Sequence, residues 1–205
     1  MTLKTGIGVI CLCFLSAVAW AGAGTQGMLS ENWKDYASAG DKRILEHFDT
    51  VIKEIEQKFD YEKFDADSRD EYERLQRVKT MPGVPVTEKD LLGKWKCRST
   101  QPGSLGVFRY PYFDCEIIWL SRGLFIEKIS GSQRFSGYLF KSSQNDYVFL
   151  GGETVNDDPQ VIYSGIAGTT DSTADIVGRL VRKQDRLVLI GVTQGKYYNF
   201  FELTR

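Results

Sequence analysis

Hydrophobic residues recur at helical spacing in the first part of the chain. Over residues 41–58 they fall on one face of a helix, and Ser38 followed by Asp41 gives the signature of its N-cap. A more polar pattern over residues 65–79 predicts a second helix, which the proline-containing stretch 81–85 ends. The pattern predicts two amphipathic helices followed by a stiff linker.

After Thr87 the pattern changes to short runs of aromatic and β-branched residues, separated by Gly, Asn, Asp and Ser about every ten residues. We predict an α+β protein that is mostly β, with N-terminal helices (22–86) before an antiparallel up-and-down β-barrel (87–205) of eight or nine strands. The predicted strands lie near residues 94–100, 112–119, 123–129, 133–140, 147–151, 160–164, 175–182, 186–192 and 197–203.

The first 21 residues have the pattern of a secretory signal peptide. An uncharged apolar run over residues 6–18 is followed by Ala19, Ala21 and Ala23, which resembles a processing site of small residues. Cleavage near Ala21 is expected to leave a periplasmic or secreted protein. An uncleaved membrane anchor is the alternative. No second hydrophobic segment follows, so we expect no membrane span in the mature chain.

The two cysteines of the mature chain predict how the first strands of the barrel pair. Removing the signal leaves Cys97 and Cys115, which should form a disulfide in an oxidising compartment. Placing Cys97 opposite Cys115 also places Lys96 opposite Glu116 and Arg98 opposite Asp114. Charge pairing across the strands therefore favours this register.

Charge and composition argue against several functions. The net charge of −1 gives no support for a nucleic-acid partner. His47 is the one histidine, so neither a histidine-based catalytic triad nor a zinc site is expected. We predict no catalytic residue, no metal and no cofactor.

A few polar residues are candidates for binding a ligand. Gln133 and Arg134 open a predicted strand after the turn at Gly131, where they could hydrogen-bond an anionic or amide-bearing ligand at the mouth of a barrel. A purely structural role is the alternative for both residues. Arg98, Ser132 and Tyr163 complete the set of ligand-binding candidates.

Several segments carry a resemblance to a known family. They are residues 91–98 (LLGKWKCR), 110–115 (YPYFDC), 125–137 (FIEKISGSQRFSG) and 148–155 (VFLGGETV). In these segments the chain resembles exported bacterial proteins grouped as domain of unknown function 4893. The resemblance implies an envelope location and this order of elements, but no activity. The Leu-x-Gly-x-Trp opening is also similar to the first strand of lipocalin-like barrels.

The sequence favours a non-enzymatic protein that binds a small amphipathic ligand or an envelope component. The first alternative is an envelope enzyme that acts on lipid or glycan through Glu127, for which no ion partner is evident, or through another carboxylate. The second is an interaction or assembly protein that uses its acidic helices to contact another envelope protein.

Overall fold

A computed structural model defines the fold and describes residues 27–205. The predicted signal peptide, which contains Cys11 and Cys13, and its cleavage near Ala21 lie outside the described residues. Within them, no helix is both long enough and apolar enough to cross a membrane.

The N-terminal part is helical. The helices of the described chain are α1 (Ala39–Glu46), α2 (Phe48–Glu56), α3 (Ala66–Thr80), α4 (Glu88–Leu91) and α5 (Ser164–Ala167), with 3₁₀ turns at Trp33–Asp35 and Tyr61–Lys63. The Ser38 hydroxyl accepts a hydrogen bond from the Asp41 amide (3.1 Å), as its sequence position predicted.

The prediction of one continuous helix over residues 41–58 is wrong. His47 separates α1 from α2 with a non-helical backbone (φ −114°, ψ 33°). At this break the Leu45 carbonyl accepts a hydrogen bond from Arg179 (2.9 Å), and the Arg179 guanidinium lies over the Phe48 ring. The barrel wall therefore contacts the helix backbone where the helix is interrupted.

Nine antiparallel strands follow. They are β1 (Gly93–Gly103), β2 (Gly106–Arg109), β3 (Phe113–Leu120), β4 (Gly123–Lys128), β5 (Gln133–Lys141), β6 (Asp146–Val155), β7 (Asp175–Lys183), β8 (Arg186–Thr193) and β9 (Tyr197–Thr204). Strands β1 and β3–β9 pair in sequence order, and β9 pairs with β1, which closes an eight-stranded barrel. The predicted fold class, α+β and mostly β with an up-and-down barrel, is confirmed.

Two details of the strand prediction are wrong. Strand β2 was not predicted; it extends the sheet as a hairpin on the far end of β1. The predicted strand at 160–164 is instead irregular chain leading into α5. There the Val161 carbonyl accepts a hydrogen bond from Ser136 (2.9 Å), and its amide donates to Thr154 (3.2 Å), so side chains of β5 and β6 satisfy this backbone.

The predicted disulfide is present, but the predicted register is not. Cys97 and Cys115 are bonded with their Cα atoms 5.9 Å apart. Cys97 faces Phe113 and Cys115 faces Trp95, so the bond runs diagonally between β1 and β3. Lys96 faces Asp114 instead of Glu116, with a salt bridge of 2.5 Å.

The barrel buries both faces of its wall. Inward-facing side chains, including Phe149, Leu189 and Leu203, fill the interior. Outward-facing side chains such as Tyr138 and Phe200 belong to one hydrophobic cluster with buried residues of α1, α2 and α3. Gly137 and Gly151 face each other across β5 and β6. A Cβ on Gly151 would lie 2.2 Å from the Phe149 ring, so glycine is required for that ring to lie against the wall.

The two ends of the barrel differ. At the end where β1 begins, Leu91 of α4 is fully buried with Trp95, and the Arg205 guanidinium covers the Trp95 ring at 4.2 Å. We call this the closed end. The other end carries the β1–β2 hairpin, the β4–β5 and β8–β9 turns and the long β6–β7 connection. We call this the open end.

Candidate functional site

A cavity of about 420 Å³ lies at the open end of the barrel. Its floor includes Phe135 and Phe201, whose ring centroids are 4.5 Å apart. The exposed side chains of Phe108 and Tyr197 contribute to its rim. A cavity of this size with an apolar floor has the dimensions of a site for a small organic molecule.

The main polar group of the cavity is Glu153. It lies in β6 on the inward-facing side, in alternation with Phe149 and Gly151. The Glu153 carboxylate accepts hydrogen bonds from Asn199 Nδ2 (2.7 Å) and Thr193 Oγ1 (3.1 Å). Two neutral side chains from β8 and β9 thus hold this carboxyl group in the wall.

Burial raises the pKa of Glu153 above the usual range of a glutamate, although the hydrogen bonds from Thr193 and Asn199 act in the opposite direction. Glu153 makes no salt bridge with any side chain of residues 27–205, so no cation of that part of the chain pairs with its charge. A carboxyl group in this setting favours a ligand that donates hydrogen bonds or carries positive charge.

Ser99 supplies a second polar group. It lies on the inward side of β1, is 95 % buried, and lines the cavity. Its hydroxyl oxygen has no hydrogen-bond partner within residues 27–205. The oxygen itself is buried beside the cavity, and because buried polar groups are normally paired, it is a candidate partner for a bound molecule that displaces the groups covering it.

Two amides bridge the cavity wall nearer the rim. Gln101 on β1 donates a hydrogen bond to Gln133 on β5 (2.8 Å), and its own side-chain oxygen accepts one from Tyr110 (3.2 Å). Both glutamines line the cavity. They join strands that are not neighbours in the barrel and add neutral polar surface above the Phe135–Phe201 floor.

Lys128 is an unusual inward-facing cation beneath the β4–β5 turn. Its amine donates to the carbonyl of Gln133 and lies 4.3 Å from the centre of the Phe113 ring. Burial, with a smaller contribution from Arg134, lowers the pKa of this amine to about 8. Lys128 as a whole residue is only 3 % exposed, and it does not line the cavity.

The structure brings two of the five predicted ligand-binding residues to the cavity. Gln133 and Arg134 both line it. Arg134, however, donates from Nη2 to the carbonyls of Asn156 and Asp158, at 2.6 Å each, and so holds the β6–β7 connection. Ser132 is exposed outside the cavity, and its carbonyl accepts a hydrogen bond from the Asn156 amide (2.6 Å).

Arg98 lies on the outer face of the barrel, away from the cavity. Its guanidinium contacts the fully buried Glu202 carboxylate at 3.0 Å and lies over the Tyr112 ring. Arg74 (2.7 Å) and Arg186 (2.8 Å) bind the same carboxylate. Three arginines on α3, β1 and β8 are therefore joined through one glutamate.

Tyr163 is also distant from the cavity. It is buried, its hydroxyl donates to the Asp41 carboxylate (2.6 Å), and it accepts from the Ser38 amide (2.9 Å). Burial and the Asp41 hydrogen bond raise the pKa of this phenol. Tyr163 thus attaches the segment between β6 and β7 to the start of α1.

The carboxylate considered for catalysis, Glu127, lies on the outer wall. It faces Glu116 across β3 and β4, and burial with the neighbouring Glu116 charge raises its pKa. It does not line the cavity. In the part of the chain that the structure describes, no group of three or more His, Cys, Asp or Glu side chains is placed to hold a metal ion.

Apart from Gln133 and Arg134, the sequence did not identify the residues that line the cavity, among them the polar residues Ser99, Glu153 and Asn199. The alternation of side chains along each strand could have identified them. In β6, Glu153 is an even number of residues from Phe149 and so faces the same side; in β9, Asn199 is related to Phe201 in the same way. Polar residues at those inward positions mark where the hydrophobic interior gives way to the cavity.

The comparisons with known proteins place the chain in a family. Residues 33–199 match the domain of unknown function DUF4893, so the chain belongs to this family, as its sequence resemblance indicated. No curated protein matches the chain. No solved structure matches it either.

Proposed function

We propose that this protein is a binding protein that takes a small amphipathic ligand into the cavity at the open end of its barrel. The observation that carries the proposal is the cavity itself, which combines a floor of Phe135 and Phe201 with polar groups of Ser99, Glu153 and Asn199. Apolar surface with a few convergent polar groups is the usual character of small-molecule sites.

The proposed location is the periplasm or the exterior of the cell, after removal of residues 1–21. The Cys97–Cys115 disulfide supports it, because such bonds persist in oxidising compartments. The barrel has a tryptophan, Trp95, near its closed end and a cavity at its open end. Both features support a lipocalin-like mode of binding, in which the ligand enters the interior of the barrel.

An envelope enzyme is the second candidate, and Glu153 is the observation in its favour. A carboxyl group with a raised pKa inside a cavity has a property of general acids. Binding is the better-supported function because the polar groups around Glu153 are neutral amides and hydroxyls. Hydrolysis by paired carboxylates needs a second acid in the same cleft, and Glu127 is on the outer wall.

Native mass spectrometry of the protein purified from the cells that naturally make it tests the proposal. We expect the wild type to retain a bound molecule of constant mass. Ser99→Phe should lose it, because the new ring occupies the cavity, whereas Ser142→Phe, in the exposed turn at the closed end, should keep it. Circular dichroism confirms that both variants fold. Only bare protein in the wild type and in Ser142→Phe would contradict the proposal.

A further inference from the structure

We propose that the cavity selects a ligand with a cationic head group, a primary amine or ammonium that pairs with the Glu153 carboxylate while its apolar part lies on Phe135 and Phe201. This inference rests on the proposed binding function and names the class of ligand. It reverses the charge expected from Gln133 and Arg134 alone, which suggested an anionic or amide-bearing ligand.

The placement of charges around the cavity carries the argument. Glu153 is the lining residue whose carboxylate faces neutral partners, Asn199 and Thr193. Arg134, the cationic lining residue, has its Nη2 atom engaged by two backbone carbonyls of the β6–β7 connection. Arg134 keeps its charge but is held against that connection, whereas the Glu153 carboxylate lies among neutral groups, so an anionic head group placed beside Asn199 and Thr193 would be repelled by Glu153.

Desolvation supplies the energetic reason. A partly buried carboxylate without a cation is costly in its ionised form, as the raised pKa of Glu153 reflects. A bound ammonium group would restore a partner to that charge in a site that excludes much of the water. A charge-assisted hydrogen bond there is stronger than the bond that a neutral hydroxyl would make.

Ser99 is an independent observation that points to a ligand. Its buried hydroxyl lines the same cavity and is unpaired within the described chain. A hydroxyl can accept a hydrogen bond from an N–H group or donate one to a neutral polar atom. It therefore places an unsatisfied polar atom beside the cavity, in addition to the Glu153 carboxylate.

Three probes with one ring system separate charge from shape: 1-naphthylmethylamine, 1-naphthylmethanol and 1-naphthoate. Isothermal titration calorimetry measures each against wild type, Glu153→Gln and Glu127→Gln. The last variant is the matched control, because Glu127 is also a glutamate with a raised pKa but lies on the outer wall. Glutamine keeps the size of the side chain and removes its charge.

In wild type and in Glu127→Gln we expect the amine to bind about tenfold more tightly than the alcohol, and the carboxylate to bind most weakly. In Glu153→Gln the advantage of the amine should disappear while the alcohol binds within about twofold of its wild-type affinity. Equal affinity for amine and alcohol in wild type, tightest binding of naphthoate, or an unchanged preference in Glu153→Gln would overturn the inference.

The same titrations distinguish this inference from the proposed function. If amine and alcohol bind wild type equally, and Ser99→Phe abolishes both, the cavity binds ligands but does not select a cation. If none of the three probes binds wild type, the result counts against both proposals.

Discussion

Glu153 and Glu202 are two glutamates that the barrel removes from water in opposite ways. Glu153 faces the cavity with two neutral partners, and burial raises its pKa. Glu202 is fully buried on the outer face, where burial alone would raise its pKa, but hydrogen bonds and charges from Arg74, Arg186 and Arg98 outweigh that effect and lower it. We propose that the first carboxyl group binds a ligand, whereas the second links β9 to α3, β1 and β8 through ion pairs.

Replacing Glu202 should therefore destabilise the protein strongly. Glu202→Gln removes the charge that three guanidinium groups share, and breaking a buried ion network costs about 3–5 kcal/mol of unfolding free energy. Urea denaturation measures the loss. The control is Glu73→Gln, because Glu73 makes an exposed contact of 3.8 Å with Arg77 and should cost less than about 1 kcal/mol. Equal effects of the two substitutions would contradict this role of Glu202.

The lowered pKa of Glu202 also gives a pH dependence. Its contribution to stability is complete above the ordinary glutamate value of 4.5 and is lost as the pH falls through the lower pKa of the folded protein. In a series of denaturation curves, the difference between wild type and Glu202→Gln should shrink in acid. A difference that grew with falling pH would have the wrong sign.

At the scale of elements, the register of β1 and β3 shows what a single sequence can and cannot determine. Lys94, Lys96 and Arg98 are all basic and alternate along β1, so a shift of two residues still places basic side chains opposite Asp114 and Glu116. Such a shift also keeps every side chain on the same face of the sheet. Charge pairing and alternation were thus both satisfied by a register that is two residues wrong.

The Cys97–Cys115 bond should stabilise this pairing. It closes a segment with a sequence separation of 18, for which the chain-entropy relation gives about 3 kcal/mol. The double variant Cys97→Ser with Cys115→Ser should lose that amount in urea denaturation. Reductant should destabilise the wild type to a similar extent and leave the double variant unchanged. A double variant as stable as the oxidised wild type would show that the bond has no such role.

The prediction of a strand at 160–164 was wrong for a different reason. Its apolar residues Val161, Ile162 and Tyr163 have strand-like composition, but they serve to attach the β6–β7 connection to the barrel and to α1. Composition indicates that part of a segment is buried, as Tyr163 is here. It does not indicate whether its backbone pairs with another strand or with side chains.

Tyr163 provides a test of that attachment. Tyr163→Phe leaves the Ser38 amide and the Asp41 carboxylate without this partner, and we expect a loss of about 1–3 kcal/mol in unfolding free energy. Tyr61→Phe is the control, because its hydroxyl contacts Glu73 at an exposed position. The affinity for 1-naphthylmethanol should stay unchanged in Tyr163→Phe. A reduced affinity would instead support the predicted ligand-binding role of Tyr163.

At the scale of the whole molecule, the helices complete the barrel. Leu45, Ile52 and Leu75 of α1, α2 and α3 share one hydrophobic cluster with outward-facing residues of the barrel wall, such as Val148 and Phe200. The sequence predicted a helical segment (22–86) and a barrel (87–205) but could not show this packing, because periodicity identifies an apolar face without identifying its partner. The division of the chain at residue 86 stays a prediction.

Removing the helices tests whether the barrel can stand alone. A fragment of residues 87–205 would expose Phe125, Tyr138 and Phe200, each of which contributes about 1.5–3 kcal/mol when buried. We expect this fragment to aggregate or to lack a cooperative transition, whereas residues 27–205 unfold in one step. Cooperative unfolding of the fragment, with the near-ultraviolet spectrum of the longer chain, would show that the barrel is an independent domain.

The central claim is that the cavity at the open end of the barrel binds a small molecule. The family, the disulfide and the barrel do not test this claim. Amide NMR during titration with 1-naphthylmethanol tests it most directly. We expect the largest chemical-shift changes at Ser99, Gln133, Glu153 and Asn199, which line the cavity, with α1–α3 and the closed end unaffected. Changes confined to the helices or to the closed end, or no changes at saturating probe, would contradict the account.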